Sequence, residues 1–253
     1  MHISQANNKR GGKAKIRIGE RLGTAAEYVA ALSVCEDCGI SEESGDIVCA
    51  DIGCDHGYLS IYLAEKGYCS KIYAADIGEK PINIARKNIE KAGAAVKEKI
   101  EVHLCDGLSG LSGKGINRVV ICGMGGEVMC GIIDRAREFW NKSVRFILQP
   151  MSSEYELREF LCKNGFFIQD ETLVRDSGRI YTVMCVSYTG KTCAYSRAEL
   201  TLGRCNIEKG GEKLLELCER KLKHARNLLC SKEHTKEDEA LEKELCEILE
   251  KNA

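Results

Sequence analysis

Proline is scarce in this chain: Pro81 and Pro150 are the only two among 253 residues. That excludes a proline-rich linker and a collagen-like stretch. No apolar run approaches the roughly 18–20 residues that cross a bilayer, so no membrane association is expected. Met1 to Lys15 is polar and basic and lacks the apolar stretch of a secretory signal. A second Cys-x-x-Cys pair is also missing. Cys35 and Cys38 form the only one, and a four-ligand zinc site needs a further pair, so no metal is expected. Net charge is nearly absent too, at −1. Taken as an average, that speaks against a polyanionic partner.

What is present points to a globular chain. Hydrophobic residues make up 44% and charged residues 30%, enough for a sizeable core and too much for bulk disorder. Fifteen cysteines are an odd count in a long chain. Cys49, Cys105, Cys122 and Cys185 fall inside apolar, strand-like runs, where a free thiol acts as a small hydrophobe. A reducing, cytoplasmic setting is expected.

The chain divides into three stretches. Residues 1–15 read as a flexible basic arm with almost nothing apolar. Residues 16–190 carry the main domain, starting with a helical pattern through Leu22, Ala25, Ala26, Val29 and Leu32. Residues 35–46 are polar and acidic and read as a loop. Strands are then expected at 47–52, 71–76, 100–104, 118–122 and 144–148, with helices between most of them. Ser153 and Glu156 have the spacing of a capping box. Runs at 166–174 and 180–188 follow without a helix between them and read as an antiparallel hairpin turned near Asp176-Ser177-Gly178. The expected fold is α/β: a Rossmann-like, mostly parallel sheet with an antiparallel closing hairpin. Residues 191–253 read as an α-helical, coiled-coil-like appendage, with capping patterns at Ser196/Glu199 and Thr235/Asp238. Glu216–Arg220 and Glu219–Lys223 have i,i+4 spacing on its solvated face.

Chemistry concentrates at the ends of successive strands. The first strand runs into Asp51-Ile52-Gly53-Cys54-Asp55-His56-Gly57-Tyr58-Leu59, where open α/β sheets bind ligands. Gly53 permits close backbone approach, and Gly57 is expected to serve helix–strand packing. The dinucleotide pattern G-x-G-x-x-G is absent, because Asp55 stands two residues after Gly53. Asp51 and Asp55 would repel a pyrophosphate. They favour a ligand with positive groups, such as the sulfonium and ammonium of S-adenosylmethionine (SAM). Asp76, followed by Ile77, ends the second strand, where a carboxylate can accept bonds from ribose hydroxyls. Asp106-Gly107 follows the third and could bond an adenine amino group. Gly123-Met124-Gly125-Gly126 follows the fourth and leaves a floor open to a flat ring. The closing hairpin agrees: SAM methyltransferase sheets of the common class end that way.

Four blocks resemble the bacterial tRNA adenine-N1 methyltransferase family that modifies adenine 22, often called TrmK. They are Glu20-Arg21-Leu22 with Ala26-Glu27-Tyr28, the Asp51–Leu59 run, Gly123-Met124-Gly125-Gly126, and Leu148-Gln149-Pro150. Gly178-Arg179-Ile180-Tyr181 adds a weaker fifth. Gly57, Ser60 and Met151 stand where alanine, proline and asparagine are common in the family. The resemblance covers about residues 16–250. It implies SAM as cofactor, tRNA as partner, and transfer of a methyl group to N1 of an adenine, at position 22. Asp51, Gly53, Cys54, Asp76, Ile77, Asp106, Gly107, Gly123, Met124 and Gly125 would hold the cofactor. Asp55 resembles the family carboxylate tied to catalysis, and Arg21 an arginine tied to substrate.

N1 of adenine is paired in a duplex, so the base must be extruded into the site. Methylation leaves a cationic ring, which a carboxylate stabilises. Asp55 is assigned that role; orienting the SAM ammonium is its alternative. His56 could contact the base or a phosphate, and Tyr58 could stack on the base.

Charge distribution now matters more than its sum. Residues 1–21 carry six basic residues against one acidic, +5; residues 191–253 carry 13 of each sign; the remainder is −6. RNA binding needs a local basic surface, not a basic average. Arg21 borders one, and Arg220, Lys221, Lys223 and Arg226 suggest a second on the appendage. Other classes left open are a SAM methyltransferase acting on a small molecule or protein, and a non-catalytic RNA-binding module. The oligomeric state is undetermined, with a monomer as the default.

Overall fold

Short apolar strands buried along nearly their whole length build the centre of the computed structural model, which describes residues 16–31, 34–35, 40–41, 45–230 and 234–252. The basic arm, Cys38 and the terminal residue lie outside them. A helix α1 (Glu20–Ala30) precedes a small antiparallel pair, β1 (Val34–Cys35) with β2 (Ile40–Ser41). The alternating part then runs β3 (Val48–Ile52), α2 (Tyr58–Lys66), β4 (Lys71–Asp76), α3 (Glu79–Ala92), the short α4 (Ala94–Lys97), β5 (Ile100–Leu104), β6 (Arg118–Met124), α5 (Gly126–Arg135), β7 (Arg145–Pro150) and α6 (Glu154–Lys163). A long hairpin, β8 (Phe166–Asp176) and β9 (Arg179–Tyr188), closes it.

These strands form one seven-stranded sheet of order β5-β4-β3-β6-β7-β9-β8. The first five strands are mutually parallel, and β9 joins β7 antiparallel. The expected α/β architecture with its antiparallel closing hairpin is therefore the observed one. Helices cover both faces, so the strands are buried on both sides. On β7, Phe146 and Leu148 face the core beneath α5 and α6, while Ile147 faces the core beneath α1, α2 and α3. Two buried arginines tie down the carboxyl end of α1. Arg118 Nε donates to the Val29 carbonyl at 3.3 Å, and Arg145 Nη1 to that of Ala31 at 2.6 Å. They satisfy carbonyls the helix leaves free.

After β9 come α7 (Arg197–Leu202), α8 (Arg204–Lys209), α9 (Glu212–Leu229) and α10 (Lys236–Asn252). Leu202, Leu214, Leu217, Leu222 and Leu245 form a third core that also takes Leu173 and Ile180 from the hairpin. A buried ion pair pins this unit to the sheet. Arg158 Nε of α6 meets Glu171 Oε1 of β8 at 2.7 Å, and Arg158 Nη1 donates to the Leu200 carbonyl of α7 at 2.8 Å.

Several local expectations change. Residues 35–46 are not all loop, since β1 and β2 pair there. Ser196 and Glu199 do form a capping box, and Thr235 and Asp238 exchange the equivalent bonds. Ser153 does not: it precedes α6 in the left-handed region without a side-chain cap bond. The neighbouring backbone is held instead by α5, where Gly126 N donates to the Ser152 carbonyl at 2.8 Å. Gly57 serves helix–helix packing rather than helix–strand packing, because a Cβ there would stand 3.2 Å from Ala85 Cβ of α3. Glu216 turns away from Arg220 to pair with Arg175 of β8 at 2.5 Å.

A cleft at the strand ends

Strand order reverses between β3 and β6: β4 and β5 lie on one side of β3, β6 and β7 on the other. Loops leaving such a switch point diverge and open a crevice. Here the crevice is a cavity of about 410 Å³, and Ile52, Gly53, Asp76, Ile77, Cys105, Asp106, Gly107 and Met124 from the strand ends line it. Five residues of α5 complete the lining: Glu127, Val128, Gly131, Ile132 and Arg135.

Sequence explains the turn after β3. Gly53, Asp55 and Gly57 all take positive φ, at 70°, 49° and 73°. Glycine adopts that region freely and aspartate more readily than most residues. Gly53 N and Cys54 N both donate to the Ala75 carbonyl of β4, at 2.8 and 3.0 Å. Asp76 then clamps two loops at once. Its Oδ2 accepts from Asp55 N at 3.1 Å, and its Oδ1 from Gly78 N at 2.9 Å. A Cβ at Gly53 would also lie 2.1 Å from the Met124 methyl, so any side chain there displaces the end of Met124.

The residues expected to hold the cofactor fall into two groups. Gly53, Asp76, Ile77, Asp106, Gly107 and Met124 line the cavity. Asp51, Cys54, Gly123 and Gly125 do not, although each is next in the chain to a residue that does. Asp51 is buried and accepts a bond from Ser60 Oγ at 2.6 Å. Burial pushes its carboxyl up to about 6, against the pull of that hydrogen bond. Burial also raises the Cys54 thiol, which keeps it protonated. Ile77 is 72% exposed and Val128 56%, apolar surface turned into the cleft. Asp106 pairs with Arg135 at 3.2 Å across the cleft wall.

Asp55, His56 and Tyr58 stand beside the cavity rather than in its lining. Asp55 Oδ1 lies 3.5 Å from His56 Nε2, and the His56 and Tyr58 rings meet edge-on with centroids 5.8 Å apart. Arg21, from the first turn of α1, reaches the far side. It bonds Asp176 Oδ2 at 2.9 Å and Gln149 Oε1 at 2.6 Å, and touches Met151 Sδ at 3.1 Å. Met151 N in turn donates to the Met124 carbonyl at 2.8 Å, which ties Arg21 to the cleft. Arg220, Lys221 and Lys223 lie on α9, which packs against α10, α7 and β8 and not against the cleft-lining elements.

The α5 face escaped the sequence reading. Glu127, Val128, Gly131, Ile132 and Arg135 share one helical side, but an amphipathic helix offers many such sides. Gln149 and Tyr181 stand in blocks that carry the family resemblance and Asp176 in the hairpin turn, but their role around Arg21 shows only in the folded chain.

The site suits SAM. It has the glycine cradle, a strand-end carboxylate for a ribose, and exposed apolar side chains for a flat ring. Its charge is mainly negative, from Asp76, Asp106 and Glu127, with Arg135 already paired. A pyrophosphate would be repelled there and a cationic sulfonium would not.

This combination defines a class I methyltransferase site, and a model of the methyltransferase domain family matches residues 18–184. The chain belongs to that family, and it is similar to tRNA methyltransferases. The Bacillus subtilis tRNA (adenine(22)-N(1))-methyltransferase is 28% identical over 189 residues, 75% of this chain and 73% of its own. A proposed tRNA methyltransferase of Mycoplasma genitalium is 34% identical over 60% of this chain and 67% of its own. Among solved structures, a proposed tRNA (m1A22) methyltransferase of Streptococcus pneumoniae, in complex with SAM, superposes with a TM-score of 0.73. It is 27% identical and covers 90% of this chain and 98% of its own.

Proposed function

We propose that this protein transfers a methyl group from SAM to N1 of an adenine in tRNA, at position 22. The observation that carries the reading is the cleft itself. A glycine cradle, the Asp76 clamp and exposed apolar side chains meet at the switch point of a methyltransferase sheet, in a chain similar to tRNA (m1A22) methyltransferases.

When bound, SAM supplies an electrophilic methyl group. The chain's own residues do the rest. Gly53 and Met124 set the depth of the cradle. Asp76 offers its carboxylate to the ribose while fixing the loops after β3 and β4. Ile77 and Val128 would pack against the flat adenine ring of SAM, and Asp106 would bond its amino edge. N1 of a neutral adenine is nucleophilic, so the main demand on the protein is alignment of an extruded base. Asp55, beside His56 and Tyr58, offers a carboxylate where the ring becomes cationic. Arg21 and, on the appendage, Arg220, Lys221 and Lys223 meet the RNA.

Among the described residues no helix is long and apolar enough to cross a membrane, and no cluster of three His, Cys, Asp or Glu could hold a metal. The thirteen cysteines from Cys49 to Cys246 are free thiols, which fits a reducing cytoplasm. Incubation with tritiated SAM and separate pools of tRNA, protein and small metabolites tests the reading. Label in tRNA alone supports it; label only in another pool, or in none, overturns it.

A further inference from the structure

Arg21 is the one assigned RNA contact that the fold brings to the strand ends, and it is not free to move. Its Nε is held by Asp176 and its Nη1 by Gln149, and the guanidinium lies over the Tyr181 ring at 4.7 Å. Only 14% of the side chain stays exposed. Gln149 is itself fully buried, so the bond to Nη1 comes from a fixed point. Asp176 is fixed too. Ser177 Oγ donates to its Oδ1 at 3.1 Å, and Gly19 leaves it room, since a Cβ there would stand 2.9 Å from Oδ2. The adjacent Arg175 points the other way along the pleat, to Glu216 of α9. The end of β8 is thus gripped by the appendage on one side and by α1 on the other.

A carboxylate beside a guanidinium cancels the net charge that a phosphate would seek. An arginine used for attraction would be better without it. One used for orientation needs it, because a planar guanidinium fixed along one edge and stacked on a ring keeps a single direction. We propose that Asp176 is a positioning residue for methyl transfer: it holds Arg21, with Tyr181 beneath it, in the one orientation that aligns the extruded nucleotide beside the cleft. This rests on the tRNA methyltransferase reading above.

Asp176→Asn separates the two roles, because it removes a negative charge and replaces the charge-assisted hold on Arg21 Nε with a weaker neutral bond. If Arg21 acts by charge, the variant binds tRNA at least as well and turns over at the wild-type rate. If Asp176 positions Arg21, kcat falls about 10- to 100-fold while KM for tRNA does not rise. Arg21→Ala supplies the second arm. Adding Asp176→Asn to it should change kcat by less than about twofold, since the residue has nothing left to position. SAM affinity by calorimetry should match the wild type in all three variants. Should Asp176→Asn not fold, Tyr181→Leu, which removes the ring under the guanidinium, should show the same kcat loss and the same silence with Arg21→Ala. A wild-type kcat in the positioning variant, or an equal loss in the Arg21→Ala background, overturns the inference. Wild-type protein that methylates no tRNA overturns the parent reading instead.

Discussion

The Met124 methyl stands where a side chain at Gly53 would begin: a Cβ on Gly53 would come within 2.1 Å of it. Gly53 also takes φ +70°. Gly53→Ala must therefore strain the backbone and push Met124 into the cleft. Strain of this kind costs on the order of 1–3 kcal/mol. We expect SAM affinity, measured by calorimetry, to fall about 10- to 100-fold. Unchanged affinity would show that the cradle does not meet the ligand.

Asp55 sits at φ 49°, a region that asparagine tolerates and alanine does not. Asp55→Asn is therefore the cleaner probe of its charge. On the proposed role for Asp55, opposite a ring that becomes cationic, loss of its charge should lower kcat by about 100-fold or more. SAM affinity should stay within about threefold of the wild type, because Asp55 meets the clamp through its backbone N–H, which the substitution keeps. Full activity would remove Asp55 from the chemistry, and a matching loss of SAM affinity would assign it to the cofactor.

Much of this was legible in the sequence, for a physical reason. Strands buried on both faces are nearly continuous apolar runs, so β3, β4, β6 and β7 stood out; the edge strand β5 showed instead as the alternation Ile100, Val102, Leu104, and Asp176-Ser177-Gly178 marked the hairpin. Ser177 and Gly178 indeed take positive φ there, 51° and 77°. The β1–β2 pair did not stand out, because two-residue strands leave no periodicity. Ser153 misled because a local capping pattern lost to a tertiary contact, the hold of Gly126 on the Ser152 carbonyl. Within the site, residues on loops that follow strands were found, and the α5 face was not. Glu127 and Arg135 look like ordinary helix surface until Asp106 is seen opposite. The partners of Arg21 lie 128 and 155 residues away. Pairings at such separations are invisible to spacing rules.

The Arg158–Glu171 pair, 1% and 0% exposed, should dominate the stability of the junction between sheet and appendage. Burial holds the Glu171 carboxyl above its ordinary range despite the arginine beside it. Arg158→Met leaves that carboxylate without its partner, and Glu171 Oε2 already has no hydrogen bond. The expected loss is about 3–5 kcal/mol by urea unfolding. Arg158→Met with Glu171→Met should recover most of it. A double variant as unstable as the single one would contradict this account.

Asp51 makes stability depend on pH in the opposite sense to a salt-bridged carboxylate. Its native value near 6 lies above the ordinary 3.8, so the folded chain holds a proton that the unfolded chain has lost. Stability therefore falls as pH rises from about 4 to about 6, by about 3 kcal/mol for this group. Asp51→Asn cannot ionise, so its stability advantage over the wild type should grow by about 1–2 kcal/mol between pH 5 and pH 7.5. A difference that stays flat with pH would show that Asp51 titrates normally.

The central claim is where the methyl group goes. Methylation at N1 removes the Watson–Crick edge of adenine, so reverse transcription halts beside it. An unmodified tRNA transcript bearing adenine 22 should be incubated with the protein and SAM and then read by primer extension. We predict a new stop adjacent to position 22, absent without SAM and absent when adenine 22 is replaced by guanine. A stop at another position, or uninterrupted extension from a folded transcript, would contradict the account.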